Sequence, residues 1–184
     1  GELAETSMVV DEKIHRWMGV GVFLLTLGVY IKTMAPAVSF WDCGEFIATS
    51  YILGVPHPPG SPLYVLLGRV FSLVPLGDVA ARVTFMSALS SALAVWCVYL
   101  SMLALGRRAL GGQPLQPIRD SRDIGILSGA VLASLLLAFS YTQWFNATEA
   151  EVYGYSIFFT CFGLWLILYW EGMGHGMQND RWLL

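Results

Sequence analysis

Charge is what this chain has least of. Asp, Glu, Lys and Arg make up only 12% of its 184 residues, about half the share of an ordinary water-soluble domain, while 56% are hydrophobic. A mean hydropathy of +0.62 points the same way and excludes a water-soluble core. Cysteine is scarce too. Cys97 and Cys161 fall inside apolar runs and Cys43 stands alone outside them, so no disulfide framework is available and all three are expected as free thiols. No nucleotide, haem or metal motif stands out, and Cys43 with His57 is too sparse for a metal site; neither cofactor nor metal is expected. Internal repeats, low-complexity tracts and heptad arrays are missing. So is a cleavable signal peptide: residues 1–11 are acidic, no small-residue cleavage site follows the first apolar run, and that run is expected to stay in the membrane. The net charge of −3 gives nucleic acid nothing to bind.

What the chain does have is four long apolar stretches. At roughly 20 residues per crossing, they predict an all-α integral membrane protein with spans at residues 17–34, 83–106, 124–142 and 153–170. Lys13, Arg16, Arg107, Arg108, Arg119, Arg122 and Arg181 lie on the side of the N-terminus, against Lys32, Arg69 and Arg82 on the other, which predicts a cytoplasmic N-terminus. The basic linker at 107–123 and the tail at 171–184 then face the cytoplasm; Asp42, Glu45, Asp78, Glu149 and Glu151 face outward. The basic linker could touch anionic lipid headgroups, although ordinary positive-inside topology accounts for it. Membrane lipids are the one partner implied by composition alone. Asn146-Ala147-Thr148 is a glycosylation sequon on the outer side, but its closeness to the membrane argues against its use.

Residues 35–82 form the one sizeable outer loop, and it is far from polar. Ser39 is placed to cap a helix with Asp42 three residues on, and Gly54 with Pro56 supplies a stop, predicting a helix over about 40–53 at the membrane surface. His57-Pro58-Pro59-Gly60-Ser61-Pro62 should be a rigid turn, because three prolines fix φ and remove donors. The apolar run 63–74, broken only by Arg69, is too short to span and predicts a second interfacial or re-entrant helix. Gly125, Gly129 and Ala133, and in the second span Ala88 with Ala92 and Ser87 with Ser91, form small-residue stripes suited to close helix packing.

Asp42 and Glu45, three apart, share a helix face and could serve one site as a paired acid; equally, Asp42 could cap the helix and Glu45 be solvated. A straight helix of about 12 residues would hold His57 nearly 18 Å from Glu45, so any pairing of the two requires the turn to fold the chain back. His57 is otherwise a turn-ordering donor or a ligand for an anionic group. Arg69 and Arg82 suit bidentate phosphate contact, although snorkelling explains each alone. Glu149 and Glu151, among Trp144, Phe145 and Tyr153, make a second acidic and aromatic cluster that could wall the same site around a sugar.

The succession Trp41-Asp42-x-Gly44-Glu45-Phe46, Gly54-x-x-His57-Pro58-Pro59-Gly60-x-Pro62-Leu63 and Pro75-x-Gly77-x-x-x-x-Arg82, after one outward span, resembles the N-terminal part of a bacterial membrane family placed with the GT-C glycosyltransferases and related to a eukaryotic transmembrane protein O-mannosyltransferase. It is also similar in layout to the classical protein O-mannosyltransferases. The resemblance covers about residues 14–184. It implies inverting transfer of a sugar from a polyprenyl-phosphate donor to a protein hydroxyl on the outer face of a bacterial inner membrane. Asp42 or Glu45 would take the acceptor proton, His57 would lie in the substrate-site turn, and Arg69 or Arg82 would face the lipid phosphate. Such transferases have many more spans. That difference keeps open a second reading, a short non-catalytic relative acting as an accessory subunit of a large photosynthetic or respiratory membrane complex, with other membrane subunits as partners and no pigment held by His15, His57 or His175. A transporter is disfavoured, since no span carries a charge at its centre.

Overall fold

The computed structural model describes residues 2–109 and 121–172. Arg119, His175 and Arg181, with most of the 107–123 linker and of the 171–184 tail, lie outside the described residues. Among the described residues seven helices follow in order: α1 Glu2–Thr33, α2 Cys43–Ile52, α3 Pro62–Ser72, α4 Val79–Ala109, α5 Ser121–Ala138, α6 Tyr141–Thr148 and α7 Val152–Gly172. Among the described residues there is no strand. Four of these helices are long and apolar enough to cross a membrane, over Ile14–Thr33, Val79–Ala109, Ser121–Ala138 and Val152–Glu171, so the protein is an all-α multi-pass membrane protein.

α4 is the axis of the bundle. It packs against α7, α5, α1 and all three short helices, and it is the most buried of the four spans. Its small residues make this possible: Ser87, Ala88, Ser91 and Ala92 are all fully buried. A Cβ added at Gly154 of α7 would come within 2.4 Å of Ser91 Oγ and 3.3 Å of the Ser87 carbonyl oxygen, so the α4–α7 crossing depends on a residue without one. The other stripe behaves differently. Cβ atoms at Gly125 and Gly129 would meet nothing within 4 Å, and these glycines line an open groove of 380 Å³ between α4 and α5. Hydrogen bonds between helices supplement the packing: Tyr30 Oη donates to the Ala138 carbonyl at 2.7 Å and Tyr99 Oη to the His15 carbonyl at 2.8 Å.

The outer loop departs from the sequence reading in three ways. α2 begins at Cys43 rather than near Phe40, with Asp42 as its N-cap and no side-chain capping bond. Ser39 is drawn off the helix entirely: its Oγ donates to Glu149 Oε1 at 2.6 Å. Leu53, at φ 55°, takes the left-handed position that ends α2, while Gly54 donates its N–H to the Thr49 carbonyl at 2.9 Å, so the expected stop residue is one place beyond the turn itself. The outer segment 143–152 is also not simply a loop, since α6 occupies most of it. α3 forms as expected and folds back on α2: a Cβ at Gly68 would lie 2.3 Å from Ser50 Oγ, so only glycine allows this approach.

Candidate functional site

The short arms α2 and α3 are held antiparallel-like by the turn at 57–60, and this turn builds the site. Gly60 donates its N–H to the His57 carbonyl at 2.9 Å, and the Pro58–Pro59 peptide is cis. The chain doubles back here, which is the condition under which His57 and Glu45 could meet, and they do meet. The straight-helix estimate failed because α2 stops at Ile52 and the remaining residues reverse direction. Glu45 grips His57 at two points: Oε1 accepts the His57 backbone N–H at 2.7 Å and Oε2 lies 2.7 Å from the ring Nδ1. The other ring nitrogen, Nε2, faces Asp42 Oδ2 at 3.8 Å, beyond hydrogen-bond length.

Electrostatics reinforce the clamp. Hydrogen bonding to His57 holds the Glu45 carboxyl below its usual range, and the same bond raises His57 above 6.5, opposed by desolvation and helped by the charges of Glu45, Asp42 and Glu151. All three side chains are partly exposed, so the cluster is open to solvent.

Behind this cluster lies a second layer, where the acidic segment expected as a wall of the site meets a cysteine that was not expected there. Glu149 and Glu151, both buried, converge on Cys43 at the first turn of α2: the thiol lies 3.6 Å from Glu149 Oε2 and 3.7 Å from Glu151 Oε1. Cys43 therefore does not stand alone; it is fully buried. Burial and the two carboxylates push its thiol up to about 12. Glu151 is raised, first by burial and then by the charge of Asp42. Ser87 of α4 fixes this connection by donating to the Glu151 carbonyl at 3.2 Å, and the Ala35 N–H donates to the Thr148 carbonyl at 2.9 Å. Cys43 and its two carboxylates are more than 100 residues apart, so no local pattern signals their meeting.

Arg69 and Arg82 both bond to backbone carbonyls at helix ends. Arg69 donates to the Tyr51 carbonyl at the end of α2 and sits 5.5 Å from the Tyr51 ring centroid. Arg82 donates to the carbonyls of Ser72, Val74 and Asp78, closing the end of α3. Neither is among the residues bonded to the Asp42, Glu45 and His57 side chains. On the far side of the turn, Leu53, Gly54, Val55, Pro59, Gly60, Pro62, Val65 and Leu66 line an open apolar cleft of 430 Å³. As for a metal, one donor atom each from Asp42, Glu45 and His57 lies within 4.8 Å of the others, but both Glu45 oxygens are already engaged by His57.

Chemically, the arrangement is an oriented imidazole beside a carboxylate at the outer edge of an apolar bundle, next to a cleft that accepts apolar matter. An imidazole held this way can accept a proton from a group that reaches it. Comparison with known proteins agrees with a transferase. The chain is 30% identical over 135 residues to the protein O-mannosyl-transferase TMEM260 of Mus musculus, an alignment covering 73% of this chain and 17% of that protein. It is 37% identical over 84 residues to the protein O-mannosyl-transferase tmem260 of Dictyostelium discoideum, covering 44% of this chain and 10% of the relative. The chain thus spans under a fifth of the length of either relative. No solved structure matches it. A family model, the protein O-mannosyl-transferase TMEM260 N-terminal domain, matches residues 42–184, starting at the acid Asp42; the chain belongs to that family and is a glycosyltransferase-related N-terminal module.

Proposed function

We propose that this module forms the acceptor side of an inverting, GT-C-type glycosyltransferase that moves a sugar from a polyprenyl-phosphate donor to a protein hydroxyl at the outer membrane face. The observation that carries the reading is the Glu45–His57 clamp beside Asp42, a preformed proton-accepting cluster placed where a membrane helix emerges. The acceptor hydroxyl enters this cluster from solvent. The apolar cleft behind the turn, one helical turn from Arg69 along α3, suits the first isoprene units of the donor and brings its phosphate toward a cation. Arg69 fits that task better than Arg82, whose guanidinium is spent on three carbonyls. Glu149 and Glu151 form the inner wall through Cys43 rather than meeting sugar directly. Further spans, from the same protein or from partner subunits, complete the donor cavity. No metal is assigned a part.

The donor class is tested with the full-length protein in proteoliposomes, offered a polyprenyl-phosphate-linked sugar or the corresponding nucleotide sugar together with a Ser- and Thr-containing acceptor. Transfer from the lipid-linked donor alone is the expected result. Transfer from the nucleotide sugar with no lipid intermediate overturns the donor assignment. Arg69→Gln should raise the KM for the lipid donor about tenfold or more and leave the KM for the acceptor unchanged.

A further inference from the structure

We infer that His57, rather than either acid, is the group that takes the acceptor proton, with Glu45 as its positioning residue and Asp42 as the charge that faces the imidazolium. This rests on the transferase reading above and assigns the roles within its site. The argument is geometric. A general base needs a lone pair that is free, accessible and correctly aimed. Glu45 is less suited, because both of its oxygens already accept bonds from His57, one from the backbone N–H and the other from the ring, each at 2.7 Å. Those two bonds fix both the position and the ring orientation of His57. They also fix its tautomer, because an ionised carboxylate accepts and so requires the proton on Nδ1. The lone pair is thereby placed on Nε2. That nitrogen belongs to a ring about half exposed, so a hydroxyl can approach it from solvent and donate to it, with Asp42 Oδ2 3.8 Å away on the same side. The Phe46 ring, with its centroid 6.0 Å from that of the imidazole, backs the histidine on the protein side.

The step balances simply. The acceptor O–H bond breaks and its proton passes to Nε2; the freed oxygen pair forms the bond to the anomeric carbon; the bond from that carbon to the phosphate oxygen breaks, and its electrons leave with the lipid phosphate. The imidazolium that results is held between Glu45 and Asp42, with Glu151 the further acid acting on it from the α6–α7 connection. A carboxylate, a histidine and a hydroxyl in this order follow the logic of an oriented base.

The test has two arms, both on the full-length protein. In the first, 15N-histidine NMR reads which ring nitrogen of His57 carries the proton in the neutral form. Nδ1–H with a titrating Nε2 is expected; the opposite tautomer overturns the inference whether or not transfer is detected. In the second, kcat/KM for the acceptor is followed with pH. The wild type should rise along a limb set by His57, above the ordinary imidazole range, and Glu45→Gln, which removes the carboxylate charge that favours the imidazolium, should move that limb to lower pH. His57→Ala should lose about 100-fold or more and recover part of it with added imidazole, a rescue that a merely structural role would not give. A limb in the carboxylate range that persists in His57→Ala would make Asp42 the base and overturn the inference while leaving the transferase reading intact. Failure of the wild type with every lipid-linked donor would count against that reading instead, and the NMR arm would still decide the tautomer.

Discussion

A few residues show how local physics was partly hidden in the sequence. Leu53 sits at φ 55°, a conformation that costs a side-chain-bearing residue about 1 kcal/mol, so Leu53→Gly should raise stability by about that amount in thermal unfolding. The stop at Gly54 was legible to within one place because glycine is the residue chemistry expects there, and only the backbone angles show that leucine bears the strain. Cys43 was read as a lone outer thiol, since the carboxylates that enclose it lie far along the chain. Being fully buried and pushed up to about 12, it should resist a charged maleimide at pH 8 in the folded protein and react once unfolded. Rapid labelling in the native state would contradict its place between Glu149 and Glu151. The Glu45–His57 clamp has a pH window. The lowered Glu45 contributes stability that is lost as pH falls through its folded value, and the raised His57 contributes stability that is lost as pH rises through its own. Hydrogen exchange of the His57 backbone N–H, corrected for intrinsic rates, should therefore be most protected between those two limits.

At the scale of elements, the four spans were legible because uncharged runs of this length have one stable use, and α3 because a proline-rich turn must be followed by something that buries its apolar residues. The pairing of α2 with α3 was not legible: it depends on where the turn points, which spacing along a straight helix misjudged, and with it the meeting of Glu45 and His57. Close packing was half legible. The stripe on α4 is buried against α7 as its small residues suggest, yet a Cβ added at Gly125 or Gly129 would meet nothing within 4 Å. The difference gives a test. Gly154→Val should destabilise the bundle by about 1–3 kcal/mol, since its side chain would meet Ser91 and the α4 backbone, whereas Gly125→Ala should be near neutral in this chain. Equal effects in a denaturation assay would show that the α4–α7 crossing is looser than its geometry implies.

For the whole molecule, function depends on which side of the membrane the clamp occupies. The positive-inside balance proposes a cytoplasmic N-terminus, which sets the connections before α2 and after α6 on the outer face. An impermeant thiol reagent applied to intact cells should label Trp41→Cys, whose site is 83% exposed, and should label Arg122→Cys only after permeabilisation. The reverse pattern would place the site on the cytoplasmic side and remove the outer-face reading. α7 is the least buried span, so its apolar surface faces lipid or the additional helices that the longer relatives have room to supply. The central claim is that the outer-loop cluster is where the acceptor hydroxyl is activated. It is tested most directly by sugar transfer in proteoliposomes of the full-length protein, comparing wild type with Asp42→Asn and His57→Ala variants matched for thermal stability. Losses of about 100-fold in His57→Ala and of tenfold or more in Asp42→Asn, with donor binding retained, are the expected result; undiminished transfer by both folded variants would contradict the account.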